Sequence, residues 1–315
     1  MKRTVNIKTN LTVNIGGVEW ENPVTTASGT VNSGVEYSEY VDFGRLGAFT
    51  TKSVAPTRWA GNEAPRVAET YGGMLNAIGL QNPGVEWFIE NDLPFLKDLG
   101  TNVIVNICGR TVEDFIFVAR SLTSAAAESG MRVDMLELNL SCPNVKDGGM
   151  AFSQDVRITE NIVAKVKKAT SLPLVVKLSP NVRDIAEIAK AAEAGGAGAL
   201  SLINTLLGMK IDINKRKPVL GNVFGGLSGP AIKPVALRCV YQAAGAVKIP
   251  IIGIGGICTG DDAVEFLLAG ASAVAVGTAH FNNPQAATDV LKGIEAYMQK
   301  YGVRDVKELI GTGRL

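Results

Sequence analysis

The feature that most constrains the fold is a repeated alternation of short apolar strands and amphipathic helices. A run such as Leu174–Leu178 is almost continuously apolar, which is typical of a parallel strand covered on both faces. The eight predicted strands are Pro23–Ala27, Ala48–Ser53, Asn102–Ile107, Met135–Asn139, Leu174–Leu178, Ala199–Asn204, Ile251–Gly255 and Ala273–Gly277. The predicted helices between them include Val112–Glu128, Arg157–Ala169, Ile185–Ala194, Lys233–Ala244 and Asp261–Ala269.

Eight such units predict an α/β fold of the closed (β/α)8 type, a TIM barrel. The alternative is an open doubly wound sheet, but no dinucleotide-type glycine fingerprint follows the first strand. A polar pair of strands around Leu11–Val13 and Val18–Trp20 predicts a short N-terminal β-hairpin. We therefore expect a single barrel domain over residues 1–315, with a loop insertion at the active site after the fourth strand.

Charge and composition exclude several classes of partner. Lys and Arg number 31 against 30 Asp and Glu, so no field attracts nucleic acid or an anionic membrane. No apolar stretch reaches the roughly 18 residues of a membrane helix, and no secretory signal is visible, so we expect a cytoplasmic protein. The scattered cysteines and the single histidine, His280, argue against a metal or iron–sulfur site in this chain. We expect His280 to serve local packing.

Polar residues or glycines stand at the end of every predicted strand. Active sites of such barrels are built at the C-terminal ends of the strands. Each residue alone could satisfy its own loop backbone, but eight strand ends of this kind indicate a site. They are Ser28, Lys52, Ser53, Asn106, Asn139, Lys177, Asn204, Thr205, Gly255, Gly256, Gly277 and Thr278.

Four of these strand ends suggest particular ligands. The pairs Gly255–Gly256 and Gly277–Thr278 place bare amides where barrels bind phosphate, although glycines also serve tight turns. Lys177 lies in an apolar strand and needs an anionic partner. That partner is either a flavin ring that becomes anionic on reduction or an internal carboxylate. Lys52 raises the same question, and a substrate carboxylate would answer it.

Cys142 follows the fourth predicted strand. Many cysteines are buried and inert, but this one precedes Pro143–Asn144 and the glycines Gly148–Gly149, on a loop above the barrel mouth. The other three cysteines lack such a polar setting. We interpret Cys142 as the reaction centre.

The motifs together resemble dihydroorotate dehydrogenase of class 1, from about Leu11 to the final helix. The segments that carry the resemblance are Ala27–Gly29, Thr51–Ser53, Gly73–Gly84 (GMLNAIGLQNPG), Leu138–Asn144 (LNLSCPN), Ile203–Thr205, Gly226–Pro230 (GLSGP) and the two glycine pairs. The resemblance implies FMN-dependent oxidation of dihydroorotate to orotate in pyrimidine synthesis.

The resemblance also implies roles for individual residues. Cys142 would take a proton from C5 of the substrate while C6 delivers hydride to flavin N5, Lys177 would supply charge near flavin N1, and Gly148–Gly149 would hinge a closing loop. The positions that match FMN contacts are Ser28, Lys52, Ser53, Asn106, Asn139, Lys177, Ile203, Gly229, Gly255, Gly256, Gly277 and Thr278. The positions on the substrate side are Lys52, Asn76, Ala77, Ile78, Gly79, Leu80, Asn139, Asn204 and Thr205.

Two segments fit the 1B branch of the class, Val67–Asn76 and Asn144–Gly149. In that branch electrons pass from FMN to a separate subunit with FAD and a [2Fe–2S] cluster, and then to NAD⁺. The implied assembly is a heterotetramer of two catalytic and two electron-transfer chains around a homodimer core. A class 2 enzyme would carry a membrane-associating extension and a serine where Cys142 stands.

Three other interpretations remain open from the sequence. The FMN domain of a dihydropyrimidine dehydrogenase shares the barrel and a loop cysteine but has no substrate carboxylate to bind. A lyase of the aldolase type would form a Schiff base on Lys177. A non-enzymatic scaffold would take up no FMN.

Overall fold

The computed structural model describes residues 8–140 and 155–315. In this part of the chain eight parallel strands lie in the order of the sequence around a barrel, and backbone ladders join all neighbours except strands one and two. The barrel strands, numbered one to eight here, are Val24–Thr26, Ala48–Thr50, Asn102–Ile107, Met135–Asn139, Leu174–Leu178, Ala199–Leu202, Ile251–Ile254 and Ala273–Val276. The predicted TIM barrel is confirmed, and each observed strand lies within its predicted range.

Strands one and two close the ring mainly through threonine side chains. Thr26 Oγ1 donates to the carbonyl of Thr50 at 3.0 Å and accepts from the Thr50 amide at 2.9 Å. The hydroxyls of Thr25 and Thr50 lie 3.1 Å apart. Because these strands are only three residues long, side-chain bonds replace part of a backbone ladder.

The helices begin where capping residues stand in the sequence. Thr111 and Thr259 each form a capping box with an aspartate three residues later, and Asp155 and Asp184 cap two further helices. These caps satisfy amides that have no partner within the first helical turn. The described helices are Val85–Asn91, Leu93–Lys97, Val112–Glu128, Val156–Ala169, Ile185–Ala194, Lys233–Ala244, Gly260–Ala269 and Ala286–Tyr301. Those predicted from the sequence are confirmed to within one residue.

The barrel strands are buried on both faces. All five residues of strand five are buried, as are those of strands four, six, seven and eight. This burial accounts for the continuous apolar runs in the sequence. It also means that any charged residue on these strands needs a partner inside the barrel.

The N-terminal hairpin pairs Val13–Ile15 with Val18–Trp20. Its first strand lies two residues later than predicted because Gly16 and Gly17, both with positive φ, form the turn. A Cβ at Gly16 would lie 3.2 Å from Met135 Cε, at the start of strand four. The hairpin therefore covers the N-terminal end of the barrel, where the indole of Trp20 is fully buried.

A four-stranded antiparallel sheet, which the sequence analysis did not predict, stands at the opposite end. One of its strands begins at Leu206, shortly after strand six. The sheet pairs segments that are distant in sequence, such as Asn76 with Gly226. In spatial order its strands are Leu206–Met209, Phe224–Ser228, Gly73–Asn76 and Val67–Thr70. A separate hairpin joins Ile211–Asp212 to Lys217–Pro218. The sheet walls one side of the C-terminal end of the barrel.

Candidate active site

A cavity of about 1060 Å³ lies over the C-terminal ends of the barrel strands. A volume of this size suits a cofactor with a small substrate. Its wall contains nearly all of the described residues that the sequence predicted for cofactor and substrate. They are Ser28, Lys52, Ser53, Asn76, Ile78, Gly79, Leu80, Asn139, Lys177, Ile203, Asn204, Thr205, Gly229, Gly255, Gly256, Gly277 and Thr278.

Two predicted residues do not line the cavity, namely Asn106 and Ala77, and both side chains are fully buried. Asn106 points into the barrel and donates from its side-chain amide to Glu137. Ala77 presents its backbone to neighbouring loops, donating to the carbonyl of Arg66 and accepting from Asn62. Their assignment to the ligands stays a prediction.

Lys177 projects from strand five into the floor of the cavity with only 4% of its surface exposed. Its Nζ donates to Ser28 Oγ at 3.0 Å and lies 3.9 Å from Glu137 Oε2. The internal carboxylate considered from the sequence is thus present. Lys177 also faces the cavity, so the pairing with Glu137 leaves room for an anionic ligand above it.

Glu137 is a functional candidate that sequence reasoning missed. It lies on strand four, two residues before Asn139, and is 3% exposed. Its Oε1 accepts from Ser201 Oγ at 2.6 Å. A glutamate in the middle of the buried run Met135–Asn139 was the available signal, because an acid there requires partners inside the barrel.

Glycines form the end of the cavity between strands six and eight. Gly229, Gly255 and Gly256 all have positive φ. A Cβ at Gly255 would lie 2.7 Å from Ala236 Cβ, and one at Gly256 would lie 2.8 Å from Lys233 Cβ. The backbone here requires glycine for both conformation and space, and it presents amides that suit a phosphate group.

The opposite side of the cavity is formed by the run Asn76–Leu80. Asn62 holds this run, since its amide donates to the carbonyl of Ile78 at 3.0 Å and its Nδ2 donates to that of Ala77 at 3.0 Å. Asn82 Nδ2 donates to the carbonyl of Leu80 at 2.8 Å. The two asparagines fix a turn in which Leu80 has a φ of 53°. The sequence analysis assigned no supporting role to either asparagine, although Asn82 lies in the motif Gly73–Gly84.

Lys52 approaches the cavity beside Gly29. A Cβ at Gly29 would lie 3.2 Å from Lys52 Nζ, so glycine leaves space for the ammonium group. Across the same wall, Asn139 Nδ2 and Ser53 Oγ lie 3.5 Å apart. The site therefore carries two lysines, Lys52 and Lys177, and several amide side chains around one space.

Comparison with known proteins identifies the family of this chain. A profile of the family described as dihydroorotate dehydrogenase matches residues 10–298, a range that contains the whole barrel and every residue of the cavity wall. The chain belongs to the dihydroorotate dehydrogenase family. It is therefore an oxidoreductase, and the resemblance inferred from its motifs is confirmed.

Individual relatives match almost end to end, and each is named dihydroorotate dehydrogenase B (NAD(+)), catalytic subunit. The protein of Alkaliphilus metalliredigens is 62% identical over 305 residues, which cover 97% of this chain and 99% of the relative. That of Lachnoclostridium phytofermentans is 59% identical, covering 96% and 99%. That of Thermoanaerobacter pseudethanolicus is 53% identical, covering 96% and 98%. The prediction of the 1B branch is confirmed.

The cysteine predicted as the reaction centre, Cys142, lies outside the described residues, as do Pro143–Asn144 and Gly148–Gly149. Of the described cysteines, only Cys258 lines the cavity. Burial raises the pKa of Cys258, and the nearby Asp262 raises it further. Burial likewise raises the pKa of Cys239, so neither thiol is activated as a nucleophile.

Two further titratable groups lie beside the cavity: Asp92 in its wall, and the buried His280 between the wall residues Ala279 and Phe281. Burial raises the pKa of Asp92, which lines the wall and accepts from Ser33 Oγ at 2.5 Å. Burial lowers the pKa of His280 to about 4. The Nδ1 atom of His280 lies 3.1 Å from the carbonyl of Gly277, in keeping with the local packing role predicted for it.

Residues 8–140 and 155–315 contain no cluster of three or more metal-binding side chains, and no helix among them is long and apolar enough to cross a membrane.

Proposed function

We propose that the chain oxidises (S)-dihydroorotate to orotate with FMN as its cofactor, in pyrimidine synthesis. The most direct support is that one cavity joins three elements. They are the glycine cradle formed by Gly229, Gly255 and Gly256, the two lysines Lys52 and Lys177, and the run Asn76–Leu80. These elements come from distant parts of the sequence, so their convergence is a property of the fold. The same proposal treats residues 1–315 as one FMN-binding domain.

The residues present fit FMN. Gly255 and Gly256 form a cradle that a Cβ would fill, and with Gly229, Gly277 and Thr278 they offer backbone donors for a phosphate. Lys177 offers a cation at the other end of the floor, beside Ser28. Bound FMN would supply the acceptor for the hydride that leaves C6 of the substrate.

On the substrate side, we assign Lys52 to the carboxylate of dihydroorotate. The side chains of Asn76, Asn139 and Asn204 line the same space and offer both donors and acceptors to the amide-like edges of the ring. Such groups favour a dihydropyrimidine that carries a carboxylate over one that lacks it, because the positive charge of Lys52 would otherwise face an uncharged part of the ring.

We assign proton transfer to Cys142, as predicted from its motif. Its sulfur would accept the proton from C5 as the bond between C6 and its hydrogen breaks, so that a C5–C6 double bond forms. The segment after Cys142, with Gly148–Gly149, would close over the substrate and keep water from the reacting atoms. Lys177 would hold the negative charge that develops on the cofactor side.

We further propose that electrons leave through a partner subunit carrying FAD and a [2Fe–2S] cluster, with NAD⁺ as the final acceptor. The names of the relatives support a separate partner, since each is called a catalytic subunit linked to NAD(+). The proposed assembly is a cytoplasmic heterotetramer of two catalytic and two electron-transfer chains.

Within that assembly we assign a contact with another chain to the antiparallel sheet and its adjoining hairpin. Large apolar side chains are exposed there, including Leu207 at 47%, Phe224 at 51% and Ile213 at 82%. An exposed apolar surface of this kind marks a protein contact.

The proposal is tested by mixing the purified, FMN-loaded protein with dihydroorotate without oxygen. We expect the visible absorbance of the flavin to bleach, and to return when the partner subunit and NAD⁺ are added. Dihydrouracil, which has no carboxylate, should not bleach it. A protein that takes up no FMN, or whose flavin is not reduced by dihydroorotate, would contradict the proposal. Recovery with fumarate alone would contradict only the assigned acceptor.

A further inference from the structure

We propose that Glu137 is a positioning residue that fixes Lys177 beneath the bound flavin and offsets its positive charge, which lowers the reduction potential of the flavin. The inference rests on the proposed function, because it concerns the electrostatics of the FMN site. It adds a residue that does not touch the ligand but sets how strongly Lys177 attracts the electrons.

The geometry places Glu137 directly below the cavity floor. Strand four, which carries Glu137, pairs with strand five, which carries Lys177, and Asn139 lies opposite Lys177 in the ladder. Glu137 and Asn139 are two residues apart and so project to the same side of strand four, into the barrel. Asn139 and Lys177 reach the cavity wall whereas Glu137 does not. Any effect of Glu137 on a ligand therefore passes through its neighbours.

The carboxylate of Glu137 is held by two hydrogen-bond donors and one ion pair. Oε1 accepts from Ser201 Oγ at 2.6 Å, and Oε2 accepts from Asn106 Nδ2 and lies 3.9 Å from Lys177 Nζ. Ser201 stands opposite Lys177 in the next ladder, and Asn106 stands opposite Glu137. Partners on strands three, five and six thus converge on one acid of strand four and hold it beside Lys177.

The charges of this cluster are isolated from water. Glu137 and Lys177 are 3% and 4% exposed, and Ser201 and Asn106 are fully buried. Charges in such a setting act over longer distances than on the surface, because neither solvent nor salt screens them. An unpaired Lys177 would place a full positive charge under the flavin. With Glu137 beside it, the pair is nearly neutral, and Lys177 stabilises added negative charge less strongly.

A purely structural role is the alternative. A buried ion pair is weak support for stability, because removing two charges from water offsets much of their attraction. A carboxylate kept only for packing would change stability when replaced but would leave the flavin potential unaltered. The two interpretations therefore differ in a quantity that does not depend on turnover.

The test compares the midpoint potential of bound FMN in the wild-type protein and in Glu137→Gln, by anaerobic equilibration with reference dyes. Glutamine keeps the size of the side chain and can still accept from Ser201 while it removes the charge. Its Nε2 atom can donate to Asn106 Oδ1, which has no hydrogen-bond partner among the described residues, once the Asn106 amide turns over. We expect reduction to become about tenfold more favourable, a rise of ~30 mV for a two-electron couple. Ser201→Ala, which removes one donor and no charge, should shift the potential by less than half of that.

Glu137→Asp serves if the glutamine variant does not fold. The shorter aspartate side chain keeps the charge but places it farther from Lys177. We therefore expect a smaller rise of the FMN midpoint potential. An unchanged or lower potential in the folded, FMN-loaded glutamine variant, or in the aspartate variant if only that one folds, would overturn the inference. A wild-type protein that binds no FMN would instead refute the proposed function, so the two failures are distinguishable.

Discussion

Lys177 Nζ donates to Ser28 Oγ at 3.0 Å, which links strand five to the loop that follows strand one across the barrel mouth. Both residues line the cavity. The bond fixes the ammonium group at the floor of the site rather than letting it extend toward solvent, and several expectations depend on that placement.

Replacing Lys177 by glutamine should weaken FMN binding at least about tenfold and slow flavin reduction by dihydroorotate, because the main cation of the floor is lost. It should also lower the free energy of unfolding by about 3 kcal/mol, since Glu137 would remain buried without its ion-pair partner. Fluorescence titration with FMN and thermal unfolding would measure both. Lys190→Gln, on an exposed helix position, is the matched control and should change neither. Normal FMN affinity in the Lys177 variant would refute its assigned role.

The glycine cradle can be tested with a pair of alanine substitutions at similar backbone angles. Gly256 has φ 75° and its Cβ would meet Lys233 and the carbonyl of Gly229, whereas Gly100 has φ 74° and open space around it. Both variants should lose about 1 kcal/mol of stability from the left-handed backbone, and Gly256→Ala should lose more, because its Cβ would lie 2.9 Å from the backbone nitrogen of Lys233. Only Gly256→Ala should also raise the Kd for FMN, by about tenfold or more. Equal FMN affinity in the two variants would show that the cradle does not hold the phosphate.

Asn62→Ala should raise the KM for dihydroorotate several-fold while FMN binding stays normal. The substitution removes the donor to the carbonyl of Ala77 and loosens the run Asn76–Leu80 without touching the glycine cradle. Steady-state kinetics, with an artificial dye as the electron acceptor, would measure the change in KM. Asn91→Ala removes a similar bond, to the exposed carbonyl of Trp87, and should leave KM unaltered. A fall in kcat with unchanged KM would argue against substrate positioning by Asn62.

Cys142→Ser should still bind FMN and orotate but reduce the flavin far more slowly at neutral pH. A hydroxyl group is a much weaker acid than a thiol and forms the required base far less readily. Anaerobic stopped-flow measurement of the first turnover isolates this step. Cys239→Ala, in a helix outside the cavity wall, controls for the loss of a thiol. Reduction at the wild-type rate would mean that another group takes the proton.

His280 should make the fold sensitive to mild acid. Burial lowers its pKa to about 4 from an ordinary value of 6.5. Above pH 6.5 the imidazole is neutral in both folded and unfolded chains, so its contribution to stability is fully present. As pH falls from 6.5 toward 4, only the unfolded chain takes up the proton, and stability drops by up to about 1.4 kcal/mol per pH unit. Urea unfolding at several pH values should show a shallower decline in His280→Gln than in the wild type, and parallel curves would refute the expectation.

The barrel could be predicted because its signal is local. A buried parallel strand needs apolar residues on both faces, and a helix begins at a capping residue such as Thr111, so both leave marks within a few positions. The antiparallel sheet left none. Its central ladder joins Asn76 to Gly226, and strands of four or five residues that contain glycines carry little pattern of their own.

The cavity wall could be predicted for a similar reason, and its supports could not. Strand ends converge at one rim in any such barrel, so Ser28, Lys177 and the glycine pairs were identifiable in advance. The partners of Glu137 depend on how strands three to six are staggered. That stagger brings Asn106, 31 positions from Glu137, and Ser201, 64 positions from it, into contact with the carboxylate. Asn62 is likewise defined by the loop that it supports. Neither relationship has a spacing that a single sequence reveals.

The ladder between Gly73–Asn76 and Phe224–Ser228 has a consequence for how this site can change. Asn76 opens the run that faces the substrate, and Ser228 immediately precedes Gly229 at the phosphate end. A Cβ at Gly229 would lie 2.7 Å from the Cα of Gly73, so the two backbones pack too closely there to admit a side chain. The backbone segments that contact the substrate and the FMN phosphate are therefore joined in one sheet. An insertion that reshaped the pocket for a different ring would also displace the phosphate contacts, so new specificity is more accessible through side-chain exchange than through changes in loop length.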